Sequence, residues 1–590
     1  MTIRTSLFGG AALGALLAFG LASGADAATH HHHRHHAKVK TVDHTAEMKG
    51  DVDSLKAEVA SLEAWKDQES AERAQTQAQV EQLKGQLAEA DARVAAAQAK
   101  VDEQIQTLPG DVQAAVAKAV PKTDKIYYKG ITLTLGGFAA AEAVYRTRND
   151  VADIGSNYSK IPYDNSVMAH EDELRGTARQ SRVSFLAQGN INPNLQAAFY
   201  GEFDFLAGPT TANSNESNSY SLRIRNVYGS LDWNDSGWHL LAGQNWSLAT
   251  MNSKGISPRN EDIPPTIEAQ YVPGFVWARQ PQIRLVKDLD DKQLWLAVSL
   301  ENPQTTFGAA ATGTSTSFGG VTANVSNAGI SLLSSVNNFS DNHVPDIIAK
   351  AAYEPDMGGS RPLHLEAFVI GREFYDRVNI AAGSQAVTAG LVAGNVTDNT
   401  WGGGFGGGVT WTAVPKLLDV QFSALTGRGI GRYGSGQLPD VIQGPGGELV
   451  AIPETIALAG ATVHATPALD LYAYGGAEIE GGKPVDTTVG TTTLHLGYGN
   501  PNATLGNCFV ELGSCSPDTR EVDQITVGFW DKVFQGSFGQ IRVGVQYSHT
   551  ELRAFPGLAG TNSAGFAPGS LVRPTTSDDM VFTSFRYYPF

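Results

Sequence analysis

Cysteine, positive charge and long apolar runs are all scarce in this chain. Only two of its 590 residues are cysteine, Cys508 and Cys515. That is too few nearby ligands for a metal site. Lys and Arg number 43 against 60 Asp and Glu, a formal net charge of -17, which argues against nucleic acid as a partner. The total does not decide the selectivity of a pore, because a pore feels the charges that line it. After one run near the start, no stretch approaches the roughly 20 apolar residues of a spanning helix. No Ser/His/Asp grouping or nucleophile motif stands out, so no enzyme and no cofactor is expected. Glycine, by contrast, is abundant at 64 residues, and only 17% of residues are charged.

The first residues have the layout of an export signal. Arg4 gives a weak charged start, Leu7 to Leu21 an apolar run, and Ala25-Asp26-Ala27 a small-x-small cleavage site. Residues 1–27 are therefore expected to be removed. Residues 28–45 hold a histidine cluster, His30 to His33 with His35 and His36. It could take Zn, Ni or Cu. Nothing around it imposes coordination geometry, so it reads as a disordered tether without metal. In an exported chain, Cys508 and Cys515 are expected to form a disulfide that closes a small rigid loop.

Residues 46–109 keep a heptad register. The a positions include Val52, Val59, Val80, Leu87, Val94 and Val101, and the d positions Met48, Leu55, Leu62 and Leu83, with polar layers from Lys66 to Thr76. A strict seven-residue repeat implies a left-handed coiled coil of about 90 Å. Pro109-Gly110 ends it. No single chain buries such a seam, so an oligomer is expected. Val at a with Leu at d leans towards a dimer. Residues 110–129 link this rod to the remainder of the chain.

From residue 130 to 590 the period changes to two. Sixteen strands are predicted, near 131–146, 177–190, 195–207, 219–233, 237–247, 275–287, 292–302, 344–355, 362–375, 400–413, 417–428, 449–465, 468–481, 520–533, 538–552 and 577–590. In 195–205, Phe199 and Phe203 alternate with Glu202 and Asp204. Carboxylates opposite an apolar face describe a wet lumen, because a dry core would not accept them. Connections alternate in length. Short ones such as Asn190 to Asn194 and Asp288 to Lys292 carry turn residues, and long ones such as 303–343 and 482–519 are rich in Ser, Thr, Asn and Gly. That parity predicts an all-β transmembrane barrel of 16 antiparallel strands in contact with outer-membrane lipid, behind an α-helical coiled coil in the periplasm.

The text of several segments is specific. GRGIGRYGSGQLPDV (427–441), TPALDLYAYGGAE (466–478), GYGNP (497–501) before the two cysteines, RQPQIRL (279–285) and the closing RYYPF (586–590) stand out. Together with the coiled coil, the chain resembles the DcaP-like porins. The resemblance implies a trimeric 16-stranded outer-membrane channel for small anions, notably dicarboxylates, with the rod in the periplasm. The aromatic last strand also resembles the closing strand of bacterial outer-membrane barrels. Taken alone, it would also suit the edge strand of a soluble sheet.

Candidate pore residues come from alternation. Arg182, Arg284, Arg372 and Lys350 fall opposite outward apolar residues and so point in. Arg223 and Arg225 share a phase on a strand whose alternation does not assign a side. Arg428 and Arg432 are placed near the mouth. The loop after the fifth strand, Ser247 to Phe275, is expected to fold inward as a constriction. It carries Lys254, Arg259, Glu261, Asp262 and Glu268, stiffened by Pro264-Pro265. Arginines suit carboxylate solutes because their forks bind bidentately and stay charged. The competing reading pairs them with lumen carboxylates such as Glu142, Glu202 and Asp204.

The alternative function is an envelope tether, in which the rod reaches peptidoglycan and the barrel only anchors it. Deleting residues 28–125 separates the two. A channel should still conduct in a planar bilayer, whereas a tether should lose envelope integrity.

Overall fold

A computed structural model describes residues 125–590, except 208–218, 309–320, 324–339, 359, 381, 384–391, 445–446, 490 and 562–564, together with ten positions between Lys56 and Arg93. The chain divides into two units, Met1–Val120 and Pro121–Phe590. In the first, the ten described positions are helical and exposed, and Arg93 bonds Glu89 one turn back at 2.6 Å. The signal segment, the histidine cluster and nearly all of the heptad seam lie outside the described residues.

In the second unit, sixteen strands pair each with the next. They are β1 (Ile131–Arg146), β2 (Arg182–Asn192), β3 (Leu195–Asp204), β4 (Arg223–Trp233), β5 (Trp238–Trp246), β6 (Arg279–Leu289), β7 (Leu294–Glu301) and β8 (Asp346–Tyr353). They continue as β9 (Leu363–Ile380), β10 (Gly394–Val414), β11 (Leu418–Arg428), β12 (Pro453–His464), β13 (Leu469–Glu480), β14 (Thr519–Gly536), β15 (Gly539–Ala554) and β16 (Thr575–Tyr588). β16 returns to β1, with Ala139 opposite Tyr587 and Arg146 opposite Met580. The ring is closed and antiparallel throughout. Closure gives every strand a partner on both sides, as a hydrocarbon surrounding demands: an unpaired backbone group there costs several kcal/mol.

Side chains alternate as the sequence predicts. Val183, Phe199, Ile283, Val369, Phe405, Ile525 and Phe585 are exposed on the outside, while Glu142, Asp204, Gln282, Gln421, Gln546 and Ser548 are buried inside. The connections at one end are short, among them 193–194, 234–237 and 537–538. Those at the other include 147–181, 247–278, 302–345 and 481–518. In the short turn after β2, Asn192 Oδ1 accepts the amides of Asn194 and Leu195 at 2.9 and 3.0 Å.

Several strand boundaries differ from the sequence reading, among them those of β9, β10 and β12. β9 and β10 run on to Ile380 and Gly394, which pair with each other. Polar Asp376, Asn395 and Asp398 interrupt the apolar pattern there, yet the β9 extension keeps a buried face, with Asp376, Val378 and Ile380 buried and Arg377 and Asn379 exposed. Leu449–Ala451 is not part of β12 but forms a loop hairpin with Val441–Gln443. Pro453, which has no amide to donate, opens β12 in its place. In the loop between β13 and β14, Cys508 and Cys515 are joined by a disulfide, with Cα atoms 5.1 Å apart.

Gly403 lies within β10 at φ +144°, where an added Cβ would stand 2.1 Å from the carbonyl oxygen of Ile370. Gly403→Val is expected to cost about 1–3 kcal/mol. It should lower the heat-modifiable, folded fraction on unboiled SDS gels, and an unchanged fraction would contradict the register.

Candidate functional site

The loop of residues 247–278, between β5 and β6, crosses the lumen. Its backbone is held by side chains on distant strands. Glu301 of β7 accepts the Leu248 amide at 2.7 Å, and Lys350 of β8 donates to the Thr250 carbonyl at 2.7 Å. Glu366 of β9 accepts the Asn252 amide at 3.1 Å, and Gln421 of β11 donates to the Asp262 carbonyl at 2.7 Å. Farther round, Glu478 of β13 accepts the Gly274 amide at 2.8 Å. Trp530 of β14 donates to the Pro265 carbonyl at 2.8 Å, and Gln546 of β15 accepts the Ile267 amide at 2.6 Å. A buried loop has to find such partners, and the inward polar face of the barrel supplies them. Apolar packing adds to this: Ile267, Val272 and Phe275 are buried against Leu458, Tyr472, Trp530 and Phe582. At Gly274, φ is +94° and a Cβ would meet the Ala457 carbonyl oxygen at 2.0 Å, so only glycine fits.

A cavity of about 600 Å³ remains in the lumen beside the loop. Arg182 of β2, Arg225 of β4, Arg542 of β15 and Arg586 of β16 line one side. Asp419 of β11, His464 of β12, Asp470 of β13 and Asp262 of the loop line the other. Aromatic faces hold the arginines: Arg182 and Arg586 lie 5.2 and 4.8 Å from the Phe138 ring, Arg586 also 4.6 Å from Trp530, and Arg542 4.9 Å from Tyr588. Their ionic partners differ. Arg225 binds Glu202 and Asp204 at 2.6 and 3.0 Å, Arg586 binds Glu142 at 2.9 Å, and Arg182 stands 3.7 Å from Glu202. Arg542 bonds Gln540 through Nε and makes no ion pair among the described residues. On the far side His464 bridges Asp470 and Asp419 at 2.6 and 3.0 Å.

The other candidate residues have different surroundings. Arg284 is inward but only 2% exposed, and it donates to the Trp246 carbonyl at 2.6 Å. Lys350 is buried against Glu366 at 2.7 Å. Arg372 is buried between Asp346 at 3.1 Å and Asp440 at 2.6 Å. None of these three lines the cavity beside the loop. The crossing loop covers β6 to β9, so their inward side chains support the loop or the rim. Arg223 grips Asp204 with bonds of 2.9 and 2.8 Å and does not line the cavity. Arg225 does, and the reason its side was unreadable is a bulge: Phe203 pairs Ile224 while Glu202 pairs Asn226, which skips Arg225 and breaks the alternation. Arg542 and Arg586 were missed, although Val543, Val545, Val581 and Phe585 on the opposite phase could have assigned them.

Within the loop, Lys254 is exposed, and Arg259 donates to the Tyr228 hydroxyl at 2.7 Å. Glu261 accepts from Asn245 at 3.4 Å, and burial raises its carboxyl above the usual range. Asp262 accepts from Thr410 at 2.5 Å and is likewise raised by burial. Glu268 accepts the Ser156 amide at 2.5 Å, and burial pushes it up to about 7.

Among solved structures, the outer membrane channel DcaP of Acinetobacter baumannii matches with a TM-score of 0.51 and 18% identity, over 78% of this chain and 99% of that one. The chain shares that channel's fold. An anion-selective porin from Comamonas acidovorans matches at TM-score 0.39 and 12% identity, over 78% of this chain and 99% of its own. OprB of Pseudomonas putida matches at 0.39 and 11%, over 81% and 96%. No protein-family model and no curated protein matches the sequence.

Removing one partner of a buried ion pair costs about 3–5 kcal/mol. Lys350→Met is therefore expected to loosen the root of the loop. Hydrogen exchange measured by mass spectrometry should speed up across 247–278 with the barrel intact, and unchanged exchange would show that Lys350 does not hold it.

Proposed function

We propose that the chain is a bacterial outer-membrane porin that lets small hydrophilic solutes diffuse passively and favours anions, with dicarboxylates as the solute class suggested by the DcaP resemblance. The carrying observation is the four-arginine side of the cavity, in which Arg542 has no ionic partner among the described residues. Two facts reinforce it. Asp262 and Glu268, the loop carboxyls at the cavity, are held towards their neutral forms by burial. Those arginines also stand across the cavity from Asp419 and Asp470, so an anion can follow one wall and avoid the other. The short turns would face the periplasm and the long loops the exterior. The working assembly is proposed as a homotrimer in the outer membrane. Contact with peptidoglycan through the coiled coil belongs to residues outside those described.

Reversal potentials in a salt gradient across a planar bilayer test this. Anion preference is expected, and Arg542→Ala or Arg182→Ala should reduce it. A unit charge about 6 Å from an ion in water contributes about 0.7 kcal/mol, a factor of roughly three. A carboxyl with a raised pKa is neutral below that value and charged above it, so anion preference should also fall as pH rises through about 7, where Glu268 ionises. Cation preference at neutral pH would overturn the reading.

A further inference from the structure

A second charged group lies at the long-loop ends of β12 and β13. Glu454 and Glu480 are register partners across that pair, and each is 3% exposed. None of their four carboxylate oxygens accepts a hydrogen bond from the described residues. The groups around them are mostly acidic. Glu478 accepts the Gly274 and Gly436 amides at 2.8 and 2.9 Å, and Asp518 accepts the Gly499 amide at 2.8 Å. The cation facing Glu454 is Arg372, already engaged by Asp346 and Asp440. The Tyr498 hydroxyl, beside Glu480, donates to the Thr519 carbonyl at 2.6 Å. Above them Ile442, Ile452, Tyr498 and Phe555 pack into an apolar cluster.

Two adjacent carboxylates cannot both stay charged and dry without a counter-charge. One proton would leave a charge behind and two would leave both groups neutral acids, whereas one divalent ion neutralises the pair while both stay ionised. We propose that Glu454 and Glu480 bind a single divalent cation, calcium in preference to magnesium. Calcium accepts bidentate carboxylates in irregular geometry, whereas magnesium keeps its waters and demands an octahedron. No group of three or more His, Cys, Asp or Glu side chains is placed to hold a metal among the described residues, so binding requires backbone carbonyls and water to complete the shell around the two carboxylates. Glu454 follows the loop 429–452 and Glu480 precedes the loop 481–518, and the Gly481 amide already donates to the Pro453 carbonyl at 2.7 Å. The ion fastens these two loops at their roots. This site is independent of the channel's solute preference.

The test uses the full chain in detergent, stripped with a chelator and titrated with calcium chloride. Calorimetry should show one saturable site, and calcium should raise the thermal transition by several degrees. The double variant Glu454→Gln/Glu480→Gln should lose both effects. Without calcium it should melt no lower than stripped wild type, because a repulsion has been removed. Should the double variant not fold, Glu454→Gln alone gives the same readout. A calcium shift that survives the substitution places the ion elsewhere and overturns the proposal. So does the absence of any calcium shift; a transition that then falls as pH rises through the carboxylate range identifies protonation of the pair instead.

Discussion

A polypeptide segment buried inside a barrel must pair its own amides and carbonyls, and here the barrel wall does that pairing. The loop 247–278 reaches Glu301, Lys350, Glu366, Gln421, Glu478, Trp530 and Gln546. These residues span β7 to β15, so the loop is tied across the lumen and not only at its two ends. Much else depends on this. Gly274 has no room for a side chain because the loop passes against the carbonyl of Ala457. Lys350 and Glu366 are buried because the loop lies on them. What space is left lies between the arginines of β2, β4, β15 and β16 and the polar side chains of β11 to β13.

The architecture was legible in the sequence because two independent signals agreed. Alternation placed residues such as Phe199 outside and Glu202 inside, and the parity of connection lengths fixed an even number of strands. Both come from closure: each strand reverses direction, and each faces two solvents. The strand ends were less legible where β9 and β10 continue past Asp376 and Asn395, because polar residues interrupt the alternation there and Phe374 at the start of the extension is buried by Val441 and Leu449, distant in sequence. The joining of Cys508 to Cys515 was readable from their spacing and the export signal.

The site was legible only in part, for a physical reason. Alternation tells which side of a wall a residue takes, but not what lies against it. Arg284, Lys350 and Arg372 are on the inner side as expected, yet each is buried under the loop or the rim. Their role is set by contacts distant in sequence, such as Arg372 with Asp440. Arg225 was hidden by a bulge, which no period of two can express. Arg542 and Arg586 needed only the same alternation, applied to the last two strands. Among the described residues, charged groups matched by partners hold the fold, and some, such as Arg542 in the lumen and Glu454 with Glu480 beneath the long loops, have no ionic partner.

In the proposed channel the inward loop borders the path that solutes take. Placing a single thiol on it, by Asp262→Cys, and adding a membrane-impermeant thiol reagent during single-channel recording tests this directly. The native disulfide leaves no competing free thiol among the described residues. The expected result is stepwise, lasting drops in current as each site reacts. Complete labelling with unchanged current would contradict it.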